Sequence, residues 1–141
     1  MNLLDERDGL RLIHEFETVF LEGASVPNLV VGDHYGDPIA GLIDRDGSWV
    51  ASCGEGVQVY RIAKPFDGYQ RDIDSGQWVT WSPPQDLGYH LEVDAIRQTD
   101  DGHLVVSVAG DKPYEVTFEV WTSKKAISLA AGGDSVQPLK G

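Results

Sequence analysis

The chain has 141 residues, with 23 acidic against 11 basic side chains and a formal net charge of −12. That length suits one domain, large enough to bury about two-thirds of its unfolded surface without covalent staples. An apolar fraction of 41% excludes wholesale disorder. The acidity argues against a reader of nucleic acid or of anionic membrane, because both repel a negative body.

The single cysteine, Cys53, excludes an internal disulfide and the metal spacings that need several thiols. The N-terminus turns acidic at Asp5 and has no basic segment followed by an apolar one, so no secretory signal is read there. No apolar run approaches the ~20 residues of a membrane-spanning helix. The expectation is a cytoplasmic protein without membrane contact.

In chain order, residues 9–21 place Leu10, Ile13, Phe16 and Phe20 on one helical face, with Leu12 and Val19 beside them. Asp8 stands where an N-cap belongs and Gly23 just past the end. Leu10, Leu12, Phe16 and Phe20 also fit a period of two; a helix is the expectation. From Asn28 the pattern is β: Asn28–Val31, then Gly36-Asp37-Pro38 as a turn. Ile39–Ile43 and Ser48–Cys53 flank Asp44-Arg45-Asp46-Gly47, a strong hairpin signal. Val57–Ile62 follows Gly54-Glu55-Gly56. Residues 65–76 form a loop rich in Asp and Gly, and Gln77–Trp81 a short aromatic strand ending at Pro83-Pro84.

The last third alternates most clearly. Tyr89, Leu91, Val93 and Ala95 interleave with His90, Glu92 and Asp94; Leu104–Val108 is nearly all apolar; Tyr114, Val116, Phe118 and Val120 interleave with Glu115, Thr117 and Glu119. Such alternation marks strands with one face on the core. The expected fold is mainly β (α+β), a single domain over residues 1–123. It would hold about seven or eight antiparallel strands, as a bent sheet, sandwich or small barrel, with the helix at 9–21. Residues 124–141 read as a loosely held tail with a short strand near Ala126–Leu129. That tail holds three lysines and one aspartate, so residues 1–123 carry −14 of the total of −12. Asp46–Ser52 echoes Asp101–Ser107. Two copies are too few for a repeat array, so the echo reads as two Asp-Gly hairpins.

Catalytic and metal patterns are weak. Asp44, Asp46, Ser48, Val50, Ser52 and Glu55 match calcium-loop ligand positions, but Trp49 replaces the glycine that the loop's bend requires. His14, His34, His90 and His103 form no ligand spacing. Cys53 beside Gly54-Glu55-Gly56 lacks the electropositive setting of a reactive thiolate, and the same segment lacks the Lys-Ser/Thr of a phosphate loop. Asp72 and Asp74 with Trp78 and Trp81 are the nearest approach to a glycosidase cleft. No catalytic residue, metal or cofactor is expected.

The charge carries more. Between residues 20 and 60 the acids are Glu22, Asp33, Asp37, Asp44, Asp46 and Glu55, against Arg45 as the one base. Acids rimming aromatics suit a surface that docks a basic protein: the aromatics anchor and the acids steer. The candidate partner-binding residues are Asp33, His34, Tyr35, Asp37, Asp44, Asp46, Trp49 and Glu55. With its Asp-rich turns at 33–37 and 44–46, its interleaved Tyr35, Trp49, Trp78 and Trp81, and no catalytic signature, the chain resembles the small acidic immunity proteins of bacterial toxin systems. These are of the contact-dependent or type VI kind. The resemblance implies a non-enzymatic inhibitor that binds a basic toxin domain and blocks its active site. Two other readings share features of the sequence. One is a small-ligand or carbohydrate module using Tyr69, Trp78 and Trp81; the other is a nucleic-acid mimic.

Overall fold

The computed structural model describes residues 2–23, 25–84, 92–132 and 135–138. Among these lie thirteen strands, every pairing antiparallel, in three sheets. The first sheet is a meander of β1 (Asn2–Arg7), β2 (Leu10–Glu15), β3 (Thr18–Gly23) and β4 (Val26–Asp33). The second is β5 (Ala40–Ile43), β6 (Trp49–Cys53), β7 (Val57–Arg61) and β8 (Trp78–Trp81). The third is β9 (Glu92–Gln98), β10 (Leu104–Ala109), β11 (Tyr114–Thr122) and β12 (Ile127–Ala130), with β13 (Val136–Pro138) also on β11. The chain is thus mainly β and antiparallel, as expected, but it has thirteen strands among the described residues against the expected seven or eight. Of the expected bent sheet, sandwich or small barrel, it forms no closed barrel but three sheets. No helix among the described residues is long and apolar enough to cross a membrane.

The helix expected over residues 9–21 is not formed; the segment is the β2–β3 hairpin. Leu12, Val19 and Leu21 face the second sheet and are fully buried. Ile13 and Phe20 pair with each other on the opposite face. Both faces carry apolar residues, so the two phases superimpose into a false helical stripe. The reversal itself uses Phe16-Glu17, with Phe16 at φ 53, a left-handed conformation for which Gly or Asn would have been the signal. Upstream, Asp8 and Gly9, at φ 51 and 83, form the tight turn that joins β1 to β2. Asp8 is therefore a turn residue, not a helix cap.

The second sheet lies between the other two. Every residue of β6 is buried: Val50 packs with Leu12, Leu21 and Tyr60 toward the first sheet, while Trp49, Ala51 and Cys53 pack with Val93, Leu104 and Phe118 toward the third. This explains why Ser48–Cys53 reads as a continuous run. β1 touches β5, and β5 touches β9, so the first strands of the three sheets lie side by side. Each sheet opens on an Asp-Gly hairpin: Asp8-Gly9, Asp46-Gly47 and Asp101-Gly102, with Gly47 and Gly102 at φ 72 and 85. The echo seen twice in the sequence has a third member, hidden because Asp8-Gly9 precedes a different set of side chains.

The expected strands from Asn28 to Ile62, at Gln77–Trp81, and from Leu104 to Val120 correspond to β4–β8, β10 and β11. β9 begins at Glu92; the expected portion at Tyr89–Leu91 lies outside the described residues. The short strand near Ala126–Leu129 is β12, whose Ile127 is buried in the core. Its Ile127 N–H donates to the Gly76 carbonyl at 3.1 Å.

Candidate functional site

Strand direction sorts the loops into two ends. The Asp-Gly hairpins occupy one end, where Asp5 Oδ2 accepts the Ile43 N–H at 2.7 Å and Gln98 Nε2 donates to Asp44 Oδ1 at 2.7 Å. The other end collects the end of β4, the β2–β3 and β6–β7 turns, and a groove of about 770 Å³. Its walls are Asp33 at the end of β4 with His34 and Tyr35 beyond it, Glu55–Gln58 from the β6–β7 turn into β7, Tyr69 and Arg71–Ser75 from the β7–β8 loop, Trp78–Thr80 of β8, Ser82, and Ile127.

The loop reaches the groove because it is long. It runs over residues 62–77, beyond the ~12–15 residues at which a structureless connection usually signals function. Three tethers hold it. Tyr69 N–H donates to the Val30 carbonyl at 2.8 Å, Trp78 Nε1 donates to the Ile73 carbonyl at 2.9 Å, and Tyr60 donates its hydroxyl proton to the Asp67 carbonyl. A fourth element is Arg71. It pairs with Asp33 at 3.2 Å, donates to the His34 carbonyl at 2.9 Å, and lies 3.9 Å over the Tyr35 ring. Burial opposes the charge on Arg71, but Asp33, Tyr35 and Glu17 outweigh it and raise its pKa. Tyr35 itself is 61% exposed, an aromatic held at the rim by a cation.

Beneath the rim the first and second sheets approach closely. Gln58 acts as a backbone mimic: Asp33 N–H donates to Gln58 Oε1 at 2.7 Å, and Gln58 Nε2 donates to the Asp33 carbonyl at 2.8 Å. Gly32 makes room, since a Cβ there would stand 2.9 Å from Gln58 Oε1 and 3.0 Å from Ser52 Oγ. His34 Nε2 and Ser52 Oγ are 2.8 Å apart. This is nucleophile–base spacing, yet Ser52 is 2% exposed and does not line the groove. Burial, then Arg71 and His14, push the His34 pKa down to about 4. The imidazole is neutral, and it reaches the groove while its partner Ser52 does not.

The expected site residues divide. Asp33, His34, Tyr35 and Glu55 meet at the groove, and Asp37 is exposed on the connection from β4 to β5. Asp44 and Asp46 lie at the opposite end. Asp44 is buried and holds its hairpin through the Ser48 N–H at 3.1 Å; Asp46 is exposed at the tip. Trp49 is 4% exposed, inside the core between the second and third sheets, so it is no docking anchor. Tyr69 and Trp78 are also buried, their rings 5.2 Å apart, and Trp81 packs edge-on against Phe118 at 5.2 Å. Cys53 is sealed, and burial pushes its pKa up to about 12. Among the described residues no three His, Cys, Asp or Glu side chains form a metal set; His90 lies outside them.

Sequence reasoning noticed Asp72 and Asp74 only as possible cleft acids and passed over Arg71 and Gln58. The loop's length and its three aspartates were the available signal. Among the described residues, four carboxylates (Asp33, Glu55, Asp72 and Asp74) and one guanidinium, already paired with Asp33, stand around the groove. Compared with known proteins, the chain matches no family model, no curated protein and no solved structure.

Proposed function

We propose that this chain is a non-enzymatic acidic binding protein that neutralises a basic toxin domain, as an immunity protein does, and that the groove beside β8 is its docking site. The observation that carries this reading is the charge of the groove: among the described residues four carboxylates converge on it, and the one arginine or lysine lining it, Arg71, is used internally. Asp72 and Asp74 are exposed and make no ion pair among the described residues. A partner's Lys or Arg therefore meets carboxylates that need no internal partner to be broken. Tyr35 and Ile73, 61% and 52% exposed, supply apolar contact at the rim. The burial of Ser52 and Cys53 supports binding over covalent chemistry.

The test is stopped-flow association with a basic toxin domain, taken from a reading frame that neighbours this one, across ionic strength. The expected on-rate falls at least about tenfold between low and high salt. A salt-insensitive on-rate removes the electrostatic docking.

A further inference from the structure

β8 is the last strand of the second sheet. The Arg61 N–H donates to the Gln77 carbonyl at 2.8 Å, one step beyond the Tyr60–Trp78 pair in register. Hydrogen-bonded pairs alternate along an antiparallel ladder, so Val79 and Trp81 turn their backbone groups toward β7. Trp78 and Thr80 turn theirs outward, along the groove that both line. No backbone partner on that side is made by either among the described residues. Below, the edge is occupied, where β12 packs beside β8 and the Ile127 N–H reaches the Gly76 carbonyl at 3.1 Å; above, its outward backbone groups carry no backbone partner among the described residues.

The two faces of this edge differ. Trp78 and Thr80 share the face that meets the acidic loop, since Trp78 donates to Ile73 and packs with the first sheet's core. Val79 shares the opposite face with Trp81, toward Ile127 and the third sheet. A strand added here continues both faces, because side chains alternate.

We infer that β8 receives an extended segment of the basic partner as a fifth strand, one whose Lys or Arg residues alternate with apolar ones. The basic side chains meet Asp72 and Asp74; the apolar ones lie toward Val79 and Ile127. Main-chain hydrogen bonds to Trp78 and Thr80 supply affinity and the alternation supplies specificity. A four-residue strand offers about 13 Å of edge. The inference rests on the basic-partner reading above and specifies how that partner is held.

The probe is a short blocked peptide alternating Lys and Val, titrated by calorimetry into the full chain at low salt. The controls are a block-ordered isomer of the same composition and a Glu–Val counterpart. The alternating peptide binds and both controls bind at least about tenfold more weakly. Thr80→Pro removes an outward N–H at an exposed edge position, where proline is tolerated, and weakens binding about tenfold or more; Thr80→Ala stays within about twofold. In the unmodified chain the peptide slows exchange of the Thr80 amide, a readout independent of any variant's folding. Equal binding to Thr80→Pro, unchanged Thr80 exchange, equal binding of the block-ordered isomer, or no binding of the alternating peptide overturns strand addition. Salt-dependent association with the toxin domain would stand in each of those cases.

Discussion

His34 ties one part of this fold's acid stability to a single imidazole. It is 3% exposed, and its pKa falls from 6.5 in the unfolded chain to about 4 in the fold, through burial first and then Arg71 and His14. The folded state therefore refuses a proton that the unfolded state accepts. The contribution to stability is whole above pH 6.5, declines as the pH falls through that value, and is gone below about 4. Linkage over that interval amounts to roughly 3 kcal/mol, of which about 2.5 is lost between pH 8 and pH 4.5. Urea denaturation at stepped pH measures it. The reference is His34→Gln, which keeps a polar group toward Ser52 and cannot titrate. Across that window the original protein is expected to lose roughly 2.5 kcal/mol more than the variant. Parallel stability curves would refute the assignment of the imidazole to a buried, neutral state.

Four further outcomes follow from the packing and the groove. Trp49→Ala, at a core position between the second and third sheets, should cost about 3–5 kcal/mol in denaturant unfolding, with m unchanged. Cys53, with its pKa pushed up to about 12, should resist a thiol reagent at pH 8 in the folded protein and react on unfolding; rapid modification under native conditions would contradict its burial. Gly76→Ala drives a Cβ into the Lys125 carbonyl and should cost about 1–3 kcal/mol, read as a lower melting temperature. Asp72→Asn with Asp74→Asn, both exposed, should leave stability within about 0.5 kcal/mol while slowing association with a basic partner.

The last two thirds of the fold were legible because turn chemistry and side-chain period agree there. Asp46-Gly47 and Asp101-Gly102 mark hairpins, and the alternation through Tyr114–Val120 leaves one phase for the core. The first sheet was obscured for the opposite reason. Ile13 and Phe20 are apolar on the face away from Leu12 and Leu21, and a left-handed Phe16 stands where the turn code expects glycine. The site was half legible. Asp33, His34, Tyr35 and Glu55 converge because a connection from β4 and the β6–β7 turn share one end of the molecule. Asp44, Asp46 and Trp49 are adjacent to them in sequence but belong to the far end of the β5–β6 hairpin or to its interior. Proximity in sequence put them in one cluster; a hairpin's length separates them. Arg71 and Gln58 act through contacts with residues 33–35 that only the folded loop creates.

Cell protection tests the central claim most directly. Cells expressing a basic toxin domain taken from a neighbouring reading frame are grown with the unmodified protein or with the variant carrying Asp72→Asn and Asp74→Asn. The unmodified protein is expected to restore growth, and the variant, folded to the same melting temperature, to restore it poorly. Failure of the unmodified protein to protect would contradict the immunity function. Equal protection by the variant would contradict the groove beside β8 as the docking site.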